Sequence, residues 1–150
     1  MKRTLIVLFL ILVACKENQN SNTNKNTDFD LSNTKKGTEQ LQAGNSTLAI
    51  EYFNKVINNT ELNSTNFIVA EAYIGRATAK GELGDERGAI SDLTKVINTS
   101  NVKHIKAQAY FLRGVGYSNM NETDSACYDW SKAGELGISK AYEYIREDCN

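Results

Sequence analysis

The sequence predicts an all-α fold: a short α-solenoid of about three helix–turn–helix repeats, closed by a C-terminal capping helix. Three observations carry this expectation. Lys55-Val56-Ile57-Asn58 returns forty residues later as Lys95-Val96-Ile97-Asn98, and self-similarity at such a period is the mark of stacked repeats. From residue 35 onward the apolar residues follow helical spacing, with short Gly or Asn breaks and no strand-like alternation. Proline is absent from all 150 residues, so no proline kinks or stops a helix.

The first element is an address. Lys2 and Arg3 precede an unbroken apolar run, Leu5 to Val13. Nine residues at 1.5 Å rise reach about 14 Å, half of a ~30 Å hydrocarbon core, so the run is too short to span as a helix and has the form of a secretory signal. Leu12-Val13-Ala14-Cys15 resembles the lipobox of bacterial lipoproteins. That resemblance implies cleavage before Cys15, with residues 1–14 as signal peptide, and lipid on the Cys15 thiol. Cleavage would remove Lys2 and Arg3 and move the formal charge from −1 to −3. Acyl chains contribute ~0.8 kcal/mol per buried methylene, so two or three hold a protein on a bilayer. In proteobacterial lipoproteins an Asp after the cysteine signals inner-membrane retention; Lys16 stands there, which favours the outer membrane in a Gram-negative host.

Residues 16–27 contain no apolar side chain and cannot offset the entropy of ordering. Residues 15–30 are therefore expected to be a lipidated cysteine and flexible polar tether, with an r.m.s. reach of roughly 20 Å. The helical domain is expected over 31–150.

Within it, Gly44, Ala49, Ile50 and Phe53 match Gly84, Ala89, Ile90 and Leu93 at the forty-residue offset. A third copy follows thirty-seven residues on, with Asn121, Ala126, Trp130, Lys132 and Ala133 matching Gly84, Ala89, Leu93, Lys95 and Val96. Gly37, Ala77 and Gly114 are the small residues of the three first helices. Gly44, Gly84 and Asn121 are the turn residues, the two types that tolerate positive φ. These positions resemble the tetratricopeptide repeat, over about residues 33–135. The surplus over its thirty-four-residue unit falls in 58–66 and 98–103, and its frequent terminal proline is missing.

A stack of this kind exposes an apolar flank at its end and calls for a cap. Gly137 can end the preceding helix, Ser139 can cap the next, and Ala141, Ile145 and Cys149 share one face of a helix expected over 139–149. If that helix folds back antiparallel from Gly137, Ala133 meets Ala141, Trp130 meets Ile145, and Cys127 comes level with Cys149. A secreted location would sustain a Cys127–Cys149 disulfide; the alternative is two reduced, buried thiols acting as small hydrophobes.

No constellation for chemistry emerges. The near balance of 17 Lys and Arg against 18 Asp and Glu argues against nucleic-acid binding. His104 is the only histidine, with no second His and no patterned carboxylates nearby, and reads as a surface residue rather than a catalyst or metal ligand. Neither catalytic residues, nor a metal, nor a cofactor are expected. What remains is a surface. The resemblance implies a concave groove lined by the first helices, here Leu41 and Gln42, then Ile74, Thr78 and Glu82, then Gln108, Phe111, Val115 and Asn119. The family's clamp for acidic C-termini needs groove lysines, which this set lacks. The expected function is a lipid-anchored adaptor of the bacterial cell envelope that binds a protein or peptide segment in this groove. The rival is a permanent structural subunit of a larger envelope complex; a small enzyme or metal-binding protein built on His104 fits less well.

Overall fold

A computed structural model describes residues 25–63 and 65–149. The signal run 1–14, the lipobox Cys15 and the tether through residue 24 lie outside the described residues. Within them the chain forms seven helices and no strand: α1 (residues 25–42), α2 (Ser46–Asn59), α3 (Phe67–Glu82), α4 (Glu86–Thr99), α5 (Lys103–Asn119), α6 (Thr123–Glu135) and α7 (Ala141–Asp148). From α2 on, each helix packs against the next, and α3 also touches α5. Three helical hairpins, α1–α2, α3–α4 and α5–α6, are thus stacked side by side with α7 at the end, the short helical solenoid that the sequence predicts.

The turns repeat atom for atom. Gly44, Gly84, Asn121 and Gly137 have φ of 77°, 82°, 60° and 116°. After each, the next backbone N–H reaches back five residues: Asn45 to Gln40, Asp85 to Lys80, Glu122 to Tyr117 and Ile138 to Ala133, all at 2.8–2.9 Å. This is the Schellman closure, which satisfies carbonyls that the helix leaves without partners. Asp85 then caps α4 through the Gly88 N–H at 2.9 Å. The longer connection between α2 and α3 is an asparagine turn: Asn63 Oδ1 accepts from the Thr65 and Asn66 N–H groups, and Asn66 caps α3.

Packing follows the repeat. A Cβ on Gly37 would lie 2.6 Å from the Phe53 ring, and one on Gly114 2.6 Å from the Trp130 indole. The middle repeat reverses the volumes: Ala77 occupies the glycine position and Leu93 the aromatic one, and both are buried. A larger side chain on one helix therefore goes with a smaller one on its partner. One core cluster runs through α2 to α5; a second gathers Ala126, Trp130, Ala133 and Ala141 with Phe111, Tyr144, Ile145 and Cys149 around it. Tyr144 places α7, with its ring 5.3 Å from Phe111, edge-on, and 5.0 Å from Trp130. Cys127 and Cys149 form a disulfide between α6 and the end of α7, with Cα atoms 5.9 Å apart.

A buried ionic device also recurs and was not anticipated. The Arg76 guanidinium donates to both Asp92 oxygens, at 2.7 and 2.9 Å, and its remaining nitrogen donates to Asn54 Oδ1 of the preceding hairpin at 2.7 Å. Thirty-seven residues later Arg113 does the same with Asp129 and Thr94, at 2.7–2.9 Å. Each arginine pins its own hairpin shut and ties it to the one before, a bidentate geometry that lysine cannot supply. Tyr73 and Tyr110, three residues upstream, lie beside these guanidinium groups at 5.2 and 5.6 Å. The hydrogen bond to Asp129 holds the Arg113 pKa above the usual guanidinium value, outweighing burial.

Two boundaries differ from expectation. Residues 25–30 are helical rather than part of a tether. Asp30 is buried, and its two oxygens accept from the Asn59 amide, at 2.9 Å, and from the Thr60 hydroxyl, so polar contacts with the end of α2 hold this end of α1 down. Ser139 does not cap the last helix. Lys140 is already in right-handed helical geometry with no side-chain cap, and Ser139 contributes its carbonyl to the Tyr142 N–H at 3.1 Å.

Candidate functional site: the concave face

The site is built by the first helices of the hairpins together with the start of α4. Thr34, Thr38 and Leu41 on α1, Glu71, Ile74, Gly75 and Thr78 on α3, and Gln108 on α5 surround a cavity of about 310 Å³. A second, of about 290 Å³, adjoins it through Thr78, which lines both. Its walls include Glu82 on α3, Glu86 and Leu93 on α4, and Leu112, Val115, Gly116 and Asn119 on α5. The two share Thr78 and together touch all three hairpins through α1, α3, α4 and α5, and their lining mixes aliphatic side chains with hydroxyl, amide and carboxylate groups.

Two of its carboxylates are oriented from neighbouring hairpins. The Ser46 hydroxyl donates to Glu82 Oε2, and the Asn119 amide donates to Glu86 Oε1 at 2.7 Å. Gly116 leaves room beside them, since a Cβ there would lie 3.1 Å from Ile90 and 3.4 Å from Glu86 Oε2. No group of three or more His, Cys, Asp or Glu converges as a metal site among the described residues, and His104 lies exposed at the start of α5.

The structure gathers seven of the nine groove residues read from the sequence. Leu41, Ile74, Thr78 and Gln108 line the first cavity, and Thr78, Glu82, Val115 and Asn119 the second. Gln42 is exposed and lines neither. Phe111 also lines neither; its ring packs against Tyr144 in the C-terminal cluster. Sequence reasoning missed Thr34, Thr38, Glu71 and Glu86. The first three lie three, four or seven residues from predicted positions on the same helical faces, a spacing that could have found them. Glu86 belongs to a second helix and had no such signal.

The same arrangement of hairpins occurs in the NMR structure of the second TPR domain of the human RPAP3 protein in complex with the HSP70 peptide SGPTIEEVD. The TM-score is 0.70, at 19% identity over 83% of this chain and 98% of that one. The fold is a tetratricopeptide-repeat solenoid. In sequence, this chain is 32% identical over 103 residues to tetratricopeptide repeat protein 36 of Danio rerio, a match covering 68% of this chain and 52% of the relative. The chain thus spans about half the length of that curated relative. No protein-family model matches it.

Proposed function

We propose that this TPR protein is a lipid-anchored adaptor of the bacterial cell envelope that holds a peptide segment of a partner protein in its concave trough. The observation that carries the adaptor reading is the pair of cavities, of about 310 and 290 Å³, that share Thr78 along the first helices of the hairpins. The structural neighbour, a TPR domain in complex with a peptide, supports a peptide as the occupant. The anchor rests on the Leu12-Val13-Ala14-Cys15 sequence and the apolar run before it. In that oxidising location the Cys127–Cys149 bond stays closed in the working protein.

The groove is tested with Thr78→Arg, which puts a long cation where the cavities meet. The expected result is loss of the partner that co-purifies with the wild-type protein from membranes, with an unchanged melting curve. Retention of that partner at wild-type stoichiometry contradicts the reading. For the anchor, Cys15→Ser is expected to abolish fatty-acid labelling and to leave the precursor uncleaved. A second reading, a permanent subunit docked by its N-terminal edge, draws on Phe29 and Leu31 of α1, which are 43% and 54% exposed. Substituting both with Ser separates the two, since only permanent docking would then fail while groove binding persists.

A further inference from the structure

We propose that the Cys127–Cys149 disulfide is the latch of a detachable helix. Oxidised, it holds α7 over Trp130 and Phe111; with both cysteines as thiols, α7 leaves and opens that end of the stack. α7 contributes little to its own docking. Of its eight residues only Ala141 is buried, while Tyr142 is 54% exposed and Tyr144 and Ile145 are half-buried. No side chain caps its N-terminus, and a helix this short is unstable in isolation. The chain through Gly137 ties its first end to α6, and Cys149 ties its last end to Cys127. Both ends are held only while the bond is closed. Release would have a specific consequence. The Tyr144 ring lies 5.0 Å from Trp130, which is fully buried, and 5.3 Å from Phe111. Removing α7 uncovers one side of the indole. It also frees Phe111, which follows Ile74 of the first cavity by one repeat, thirty-seven residues on. The open form thus adds an aromatic surface that the closed form covers.

Cys127 and Cys149 are each half-buried, so a reagent can reach them from solvent. Closing the latch passes two electrons to a disulfide oxidant, a thiol–disulfide oxidoreductase or a small-molecule disulfide. One cysteine thiolate attacks the oxidant's S–S bond and expels one of its sulfurs. The other cysteine thiolate then attacks the protein sulfur of the mixed disulfide and expels the second, and the two thiol protons end on the reduced oxidant. A dithiol reductant runs the same steps in reverse. Reducing compartments keep such a pair as thiols. On the envelope reading above, the chain therefore carries α7 undocked before export and closes it afterwards; the latch itself does not depend on that reading.

The test uses the full chain in detergent micelles, with Cys15→Ser to remove the third thiol, oxidised or in dithiothreitol. Trp130 is the only tryptophan, so its fluorescence reports on this cluster alone. On reduction its emission is expected to move to the red and its quenching by acrylamide to rise several-fold. Amide exchange in Ala141–Asp148 should quicken about a hundredfold while the α2–α4 amides keep their protection. Oxidised glutathione should restore the closed values. The Cys127→Ser/Cys149→Ser variant should show the open values with or without dithiothreitol, which separates the latch from any other effect of the reductant. Trp130 quenching and Ala141–Asp148 exchange that reduction leaves unchanged overturn the inference, because α7 then stays docked without the bond. Loss of protection across α2–α4 as well overturns it too, because the bond then holds the whole domain rather than one helix.

Discussion

Asp129 is 1% exposed, and both its oxygens are held by Arg113. Breaking a buried pair from one side leaves an uncompensated charge, so Arg113→Met is expected to destabilise by about 3–5 kcal/mol, read as a lower urea midpoint. Arg113→Met with Asp129→Leu should regain most of that loss, because apolar replacement of both partners is near neutral; a double variant as unstable as the single would contradict this. The sign of the pH dependence follows from the raised Arg113 pKa. The arginine's contribution is present below its unfolded value and is lost only as pH climbs past the raised folded one, so it is constant through neutral and alkaline buffers. Gly114 offers a second residue-scale test. An added methyl would meet the Trp130 indole at 2.6 Å, so Gly114→Ala should cost roughly 1–3 kcal/mol. Gly114→Ala with Trp130→Leu copies the Ala77–Leu93 pair of the middle repeat and should recover part of it in the same melt.

The helix α7 has eight residues, too few to be stable alone. It stays because Ala141 and Tyr144 enter the C-terminal cluster and the Cys149 disulfide ties its end to α6. Replacing both Cys127 and Cys149 with Ser removes a cross-link over 22 residues of sequence separation and should lower stability by about 2–4 kcal/mol. Hydrogen exchange should then quicken in Ala141–Asp148 while the α2–α4 amides keep their order of protection; uniform quickening would mean that α7 is no separate unit. The elements were largely legible because Gly44, Gly84 and Asn121 mark turns that need positive φ, and their spacing gives the repeat away. The start of α1 was not legible: its first turns carry almost no apolar signal, and burial of Asp30 depends on Asn59 and Thr60, contacts that no local pattern announces. The Arg–Asp staples were legible in principle, since Arg76 to Arg113 and Asp92 to Asp129 share one offset. The first repeat carries no such pair, with Lys36 and Tyr52 at the corresponding positions, so the device does not recur in every copy.

At the scale of the whole molecule, stacking three hairpins produces a trough that no single hairpin contains. Its floor could be read from the repeat phase, but its limits could not. Phe111 has the right phase for the groove, yet it sits beside the end of the stack, where α7 supplies Tyr144 as a nearer partner. Glu86 reaches the trough from α4 only because the hairpins are stacked as they are. The central claim is that this trough, and not the convex side, holds a partner segment. It is tested most directly by placing a photo-crosslinking amino acid at Thr78, where both cavities meet, or at exposed Glu51 on α2, and irradiating intact membranes. The account predicts one discrete crosslinked partner from position 78 and none from position 51. Crosslinking from position 51 with none from position 78 would contradict it.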